Sequence, residues 1–331
     1  MQKQLNLFES DRIDRPRSKK PSYSSVEEYV EASRRASEGL PIIVSYGGGR
    51  NSTALLVAMA YKGIVPEAIL FSDTGGEHPK TYEYIELFDR WLIANNFPKI
   101  QRVCYRMQKP RPRKKLLVHR MFRTLASIDS PAWLLDLALT IFQNLRQDWI
   151  YKTLEEECVT FKMLPSKAYG AGKCSAKWKV EPLEKEARQV TGNKLYSCWI
   201  GIHSGESSRV LDKSGRFRPI RERYGFKHYP LIEWGIDQKE CEALIRSVGL
   251  PVPRKSSCFF CPNMRVEEVR ELKRDYPELY ERAIYLEKNA DLKKLKGLGR
   301  TWAWGDLDRL SPLEELAIES RANARQCDCI E

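Results

Sequence analysis

Five stretches of this 331-residue chain carry residues whose types and spacing could do chemistry. The first is Ser45-Tyr-Gly-Gly-Gly-Arg-Asn-Ser-Thr53, where a short apolar run from Pro41 feeds three glycines and an apolar-periodic helix ending near Gly63. Glycines let backbone N–H groups approach an anion, and a helix N-terminus adds about half a positive charge, so this is the pattern of a strand-loop-helix phosphate site. Its spacing is neither that of a Walker loop nor that of the dinucleotide G-x-G-x-x-G fingerprint. The second stretch, Asp73-Thr-Gly-Gly-Glu-His-Pro-Lys-Thr-Tyr82, follows the next apolar run. The third places Cys174 among basic residues in Lys173-Cys-Ser-Ala-Lys-Trp-Lys179. The fourth is Cys258-Phe-Phe-Cys-Pro262, a knuckle whose two thiolates could meet one zinc ion or iron–sulfur cluster, or could form a redox dithiol. Between the last two lies Ser204-Gly-Glu-Ser-Ser-Arg209, whose arginine fork suits phosphate or sulfate.

Taken in order, these motifs resemble those of the PP-loop nucleotide enzymes, and within them the phosphoadenosine-phosphosulfate (PAPS) reductase family, near its DNA-phosphorothioation sulfurtransferase branch. Gly47 to Ser52 is similar to the S-G-G-x-D-S pyrophosphate loop, with Gly47 in place of Ser and Asn51 in place of Asp. Loss of that carboxylate removes a potential Mg²⁺ or water ligand. Lys173 to Leu183 resembles C-C-x-x-R-K-x-x-P-L, keeping Cys174 but carrying Ser175 and Trp178 as departures. Ser204 to Arg209 resembles the R-x-x-E-S-x-R loop without its first arginine, and Tyr229 to Gln238 the P-L-x-x-W-x-x-x-D segment. The likeness spans roughly residues 40 to 275.

The resemblance implies an α/β fold: a parallel-sheet PP-loop core (adenine nucleotide alpha-hydrolase-like) with a helical insertion and a helical, cysteine-bearing C-terminal region. It implies ATP or a related adenine nucleotide, with Mg²⁺, over Ser45, Gly47, Gly48, Gly49, Asn51, Ser52 and Thr53, the last two donating to phosphate. Asp73 would lie near the ligand, Glu206 would orient Arg209 or a ribose hydroxyl, and Asp73, Lys179 and Arg209 would carry catalysis. Cys174, Cys258 and Cys261 would hold a 4Fe-4S cluster or zinc. The fourth ligand stays open among Cys158, Cys198, Cys241 or none. In the leading version ATP adenylates a nucleic-acid oxygen or carbonyl and sulfur borne on the iron–sulfur site displaces AMP, with a sulfur donor protein as a further partner. The alternatives are a sulfonucleotide (PAPS or APS) reductase and a non-catalytic nucleotide- or nucleic-acid-binding module. The tail thiols Cys327 and Cys329 lack the family's glycine and histidine and are read as mobile rather than essential.

Composition supports a polyanionic partner, because the formal charge is +12 and the pI about 9.2. The basic run 109–123, which includes Arg111, Arg113, Lys114 and Lys115, is the expected contact for DNA or tRNA. Nine cysteines without a signal-peptide pattern read as thiols or metal ligands rather than a disulfide framework, and with no run of 18 apolar residues the expectation is a soluble cytoplasmic protein with no membrane partner. Three regions follow: a basic arm over 1–22, a nucleotide-binding domain over 23–235 with an insertion at 107–172, and a helical region over 236–331 carrying the knuckle.

The elements that must position these motifs alternate. Ser25 with Glu28 reads as a capping box for a helix to Ser37. Strand 41–46, helix 52–62, strand 67–72, helix 79–95 and strand 99–105 follow, and such alternation argues for a parallel sheet with its ligand site at the strands' C-terminal ends. Further on, the pattern predicts a buried helix over 133–142, a helix from near Lys173 to Gly192, a strand over 195–203, a helix capped by Asp237 and a helical pair broken near Pro277.

Overall fold

The computed structural model describes residues 23–105, 153–170, 172–212 and 214–323. The arm 1–22, the basic run 109–123, the apolar segment 133–142, Cys327 and Cys329 lie outside them. Five strands form one sheet among the described residues: β1 (Ile42–Ser45), β2 (Ala68–Asp73), β3 (Ile100–Cys104), β4 (Tyr196–Ile200) and β5 (Gly225–His228). Their order is β3-β2-β1-β4-β5 and every pairing is parallel. β1 is central, with Ile43 opposite both Ala68 and Cys198. Its run Ile-Ile-Val is apolar on both faces because helices cover both faces of a parallel sheet.

The first crossover helix, α1 (Arg50–Tyr61), is buried continuously from Asn51 to Met59. A helix apolar all round must be sandwiched. Here β1 lies on one side and the helix Gln238–Ser247 on the other, which adds Cys241 and Ile245 to the core of Val44, Leu55, Leu56, Phe71 and Phe88. That last helix begins with the predicted cap: Asp237 Oδ1 accepts from the Glu240 N–H at 2.8 Å and the Glu240 carboxylate accepts from the Asp237 N–H at 2.7 Å. At the N-terminal helix Val26–Ala36, Ser25 caps Glu28, but the Glu28 carboxylate reaches back to the N–H of Ser24, at 2.7 Å, one residue earlier than expected.

A second core gathers around the cysteine knuckle, from Trp178, Phe259, Phe260, Val269, Leu272, Leu286 and Trp304. The third motif enters it on a helical run, Lys173–Ser175, that passes through a π-turn at Ala176–Val180 into Glu181–Val190. A π-turn adds a residue to the helical register, and such insertions concentrate at functional positions. Trp178 is thereby fully buried and its indole N–H reaches Glu157 at 2.5 Å.

Candidate functional site

The glycine loop lies at the C-terminal end of β1. Gly48 has φ +75°, and a Cβ there would sit 2.8 Å from Thr81 Cγ2, so only glycine passes this corner. Gly49 is the N-cap of α1 with no side-chain cap, and the N–H groups of a helix's first turn have no partner within the helix. Ser52 and Thr53, expected as phosphate donors, are engaged elsewhere. The Ser52 hydroxyl accepts from the Gly47 N–H and donates to the Gly49 carbonyl, both at 3.2 Å, and Thr53 donates to the same carbonyl at 2.9 Å. These hydroxyls brace the loop, so what it offers an anion is backbone N–H. Ser45, 4% exposed, ends β1 beneath it.

Asn51 projects from the loop toward the Ser204–Arg209 motif. Its Nδ2 donates to Glu206 Oε2 at 3.1 Å, and the same oxygen accepts from Arg209 Nη1 at 2.9 Å. Arg209 is only 10% exposed in its side chain, so this pair is not a solvated surface bridge. Asn51 Oδ1 is buried with no hydrogen-bond partner. His203 caps the same turn, its Nδ1 accepting from the Gly205 N–H at 3.1 Å, and burial pushes its pKa down. On the other side Arg50 is held by Glu242 of the core helix, at 3.1 Å.

The second and fourth motifs are joined backbone to backbone. Glu77 and Cys258 form an antiparallel bridge, the Phe259 N–H donates to the Gly76 carbonyl at 2.8 Å, and the His78 N–H to the Ser257 carbonyl at 3.1 Å. Asp73 serves this loop: its Oδ1 accepts from the Gly75 N–H at 2.8 Å and from the Tyr82 hydroxyl at 2.7 Å. Glu77, quoted in the motif but given no role by sequence reasoning, proves central. Its carboxylate lies 3.3 Å from Lys179 Nζ and 3.8 Å from Cys258 Sγ, and it accepts from the Thr74 hydroxyl at 3.2 Å. That hydroxyl is 3.1 Å from Cys258 Sγ. Burial first, and the Glu77 charge second, push the Cys258 thiol well above its usual pKa. The signal available in sequence was a carboxylate directly before His-Pro, at the mouth of a loop that had to meet a basic motif.

One cavity of about 810 Å³ collects most of these groups. Arg50, Asn51, Glu206 and Arg209 line it, with Thr74 and Lys179, and so do Cys174, Cys258 and Cys261. Of the open candidates for a fourth ligand, Cys241 and Cys198 have thiols pushed up to about 12 by burial, Cys241 within the sheet core and Cys198 on β4. Cys158 lies in the same apolar cluster as the knuckle. Among the described residues, no three His, Cys, Asp or Glu side chains come close enough together to hold a metal ion. The donor set as it stands therefore does not fit a cluster, zinc or a protein-caged Mg²⁺. Nor is any described helix long and apolar enough to cross a membrane.

No family model matches the chain. It is 23% identical over 232 residues to an uncharacterized nin region protein, ORF290, of Escherichia phage lambda, a match covering 69% of this chain and 67% of that protein. Among solved structures it is similar to a U34-tRNA thiolase, NcsA, from Methanococcus maripaludis, described with its 4Fe-4S cluster, with 11% identity over 82% of each chain and a TM-score of 0.27. At that score the site must be read from this chain's own residues.

Proposed function

We propose that this protein is a PP-loop enzyme of the PAPS reductase kind, which binds ATP or a related adenine nucleotide and activates a nucleic-acid substrate for sulfur transfer. The observation that carries the reading is the single cavity in which the end of the glycine loop, the Glu206–Arg209 pair, Lys179 and three cysteines meet. Phosphates would lie over Gly47 to Ser52, on the N–H groups that follow Gly47, where the helix N-terminus adds its partial charge. Arg209 would face them with a guanidinium already oriented by Glu206. Lys179, held by Glu77, would neutralise charge that develops on the departing phosphate. The thiols would then be the groups nearest the activated atom. Because the cysteines do not form a metal site as they stand, no step is assigned to iron or zinc.

The test incubates the full chain with ATP, a sulfide source and either bulk tRNA or DNA, and reads thiolated nucleosides by mass spectrometry alongside AMP release. Arg209→Ala and Cys258→Ser should each abolish thiolation. Sulfite released from PAPS with a thiol reductant, with both nucleic acids untouched, would establish the sulfonucleotide reductase alternative instead. Iron, sulfide and zinc analysis of anaerobically purified protein reads separately whether Cys174, Cys258 and Cys261 take up a metal.

A further inference from the structure

Four cations on the large cavity are already held by carboxylates. Arg50 faces Glu242 at 3.1 Å, Lys179 faces Glu77 at 3.3 Å, Arg209 faces Glu206 at 2.9 Å and Lys255 faces Glu268 at 3.4 Å. Lys167 differs from them. It lines the same cavity from the helical turn Ser166–Tyr169 and is only 6% exposed, yet no carboxylate among the described residues pairs with its ammonium. The carboxylate nearest to it in sequence, Glu157, is taken by Lys177 and the Trp178 indole. Withdrawing an ammonium from water without a partner is costly, so an unpaired lysine on a cavity wall marks an anion that comes and goes. A second donor stands with it. Ser175 is 8% exposed, lines the cavity, and its hydroxyl has no hydrogen-bond partner among the described residues. Neither Lys167 Nζ nor Ser175 Oγ is among the sealed, unpartnered atoms of the described interior, so both keep surface for a ligand. The two are joined through Cys174, whose N–H donates to Ser166 Oγ at 2.7 Å and so ties the turn carrying Lys167 to the run Lys173–Ser175.

The place of these donors says which anion they meet. The nucleotide's phosphates have the N–H groups at the start of α1 and the Arg209 guanidinium, all on other segments. In sulfur transfer the acceptor atom carries AMP on one side and is attacked by sulfur from the other. The strand that owns this atom must therefore lie between the glycine loop and the cysteines, with its backbone phosphates on the cysteine wall. A lysine suits such a phosphate, because a flexible point charge meets it in any rotation, where an arginine fork demands one. We infer that Lys167 and Ser175 form a phosphodiester subsite: they hold a backbone phosphate of the nucleic-acid strand being modified and so set its acceptor atom beside Cys174. This rests on the nucleic-acid reading above. Both are positioning residues, since neither makes nor breaks a bond.

The experiment titrates the full chain with a fluorescently labelled single-stranded oligonucleotide, as DNA and as RNA, across a salt series, and measures ATP affinity by calorimetry. Lys167→Met should weaken oligonucleotide binding about fivefold to tenfold. It should also reduce the slope of log K against log salt by about 0.7, the contribution of one phosphate on a single strand. Lys167→Arg should keep the slope. Ser175→Ala removes a neutral donor, so it should weaken binding about threefold with the slope unchanged. ATP affinity should stay within about twofold of the parent in all three. Lys167→Met should melt no earlier than the parent, because the ammonium it removes stabilises nothing in the free protein. Oligonucleotide affinity and slope unchanged in Lys167→Met and Ser175→Ala, from a parent that binds nucleic acid, would overturn the subsite and leave the nucleic-acid reading standing. If Lys167→Met does not fold, Ser175→Ala decides alone. An equal loss of ATP would assign the ammonium to the nucleotide and overturn the subsite too. So would displacement of the oligonucleotide from the parent, but not from Lys167→Met, by inorganic phosphate or hydrosulfide at constant ionic strength, which would make this a free-anion site. If the parent binds neither DNA nor RNA, the nucleic-acid reading and this inference fall together.

Discussion

The amide of Asn51 and the carboxylate of Glu206 are partners, 3.1 Å apart, and that contact changes the meaning of the missing aspartate. An aspartate at position 51 would set two carboxylates against one another on the loop proposed to hold an anion. The asparagine is thus half of a matched pair, because Glu206 supplies the local negative charge and Arg209 shares it. Asn51→Asp should therefore destabilise the fold by about 1–3 kcal/mol at neutral pH and weaken ATP binding, with partial recovery as acid protonates one of the two carboxyls. Adding Glu206→Gln should restore stability in the double variant. A single Asn51→Asp protein as stable as the parent in urea, with tighter ATP binding, would contradict this account.

His78 offers a pH test. It caps the helix Pro79–Ala94, its Nδ1 accepting from the Lys80 N–H at 3.2 Å, and its Nε2 lies 2.8 Å from Arg254 Nη1. Burial, then the Arg254 charge, lower its pKa from 6.5 to about 4. The unfolded chain therefore binds a proton more readily than the folded one. Its contribution is intact above the unfolded value and is lost as pH falls from about 6.5 toward 4, a loss of the order of 2 kcal/mol. His78→Asn keeps a capping side chain and removes the titration. Its urea midpoint should fall less than the parent's between pH 7 and pH 5; identical slopes would remove His78 from the acid response.

Glu287 should act as a clasp. It is buried, and its two oxygens accept backbone N–H groups from Leu298 at 2.6 Å, Trp304 at 3.0 Å and Gly305 at 3.1 Å. It thereby holds the loop that carries Arg300, Thr301 and Trp302 to the large cavity. Glu287→Ala would orphan three donors, so a loss of about 3 kcal/mol is expected, with Glu287→Gln losing roughly half. Thermal melts of the two variants check the order.

The alternating α/β pattern was legible because apolar runs and glycine punctuation recur with the period of a parallel sheet, and strands predicted at 41–46 and 67–72 appear as Ile42–Ser45 and Ala68–Asp73. The Asp237 cap was equally local and equally readable. What the residues could not disclose was contact between distant segments. Glu77 meets Cys258 across the chain, and no periodicity within either motif records that bridge. The same limit hid the use of Ser52 and Thr53, whose hydroxyl chemistry suits a phosphate but whose geometry serves the Gly49 carbonyl. Spacing marked Cys258 and Cys261 as a pair and only the family resemblance added Cys174 to them, whereas the arrangement of their sulfurs depends on packing around Trp178 and Phe260.

Gly201 makes the last prediction. It follows β4, the strand beside β1, and a Cβ built on it would lie 2.8 Å from the carbonyl carbon of Asn51, 2.8 Å from the Ser52 nitrogen and 2.9 Å from the Asn51 oxygen. All three are backbone atoms of the first turn of α1, which cannot swing aside as a side chain would. Alanine there must displace the N–H groups on which an anion would rest, while the apolar core beneath keeps its residues. Gly201→Ala should then cost ATP affinity about tenfold or more, with only a modest fall in melting temperature. Gly172→Ala is the control, since its Cβ would meet nothing within 4 Å, and it should change neither quantity. If Gly201→Ala binds ATP and tripolyphosphate like the parent, the N–H groups at the start of α1 are not the anion site.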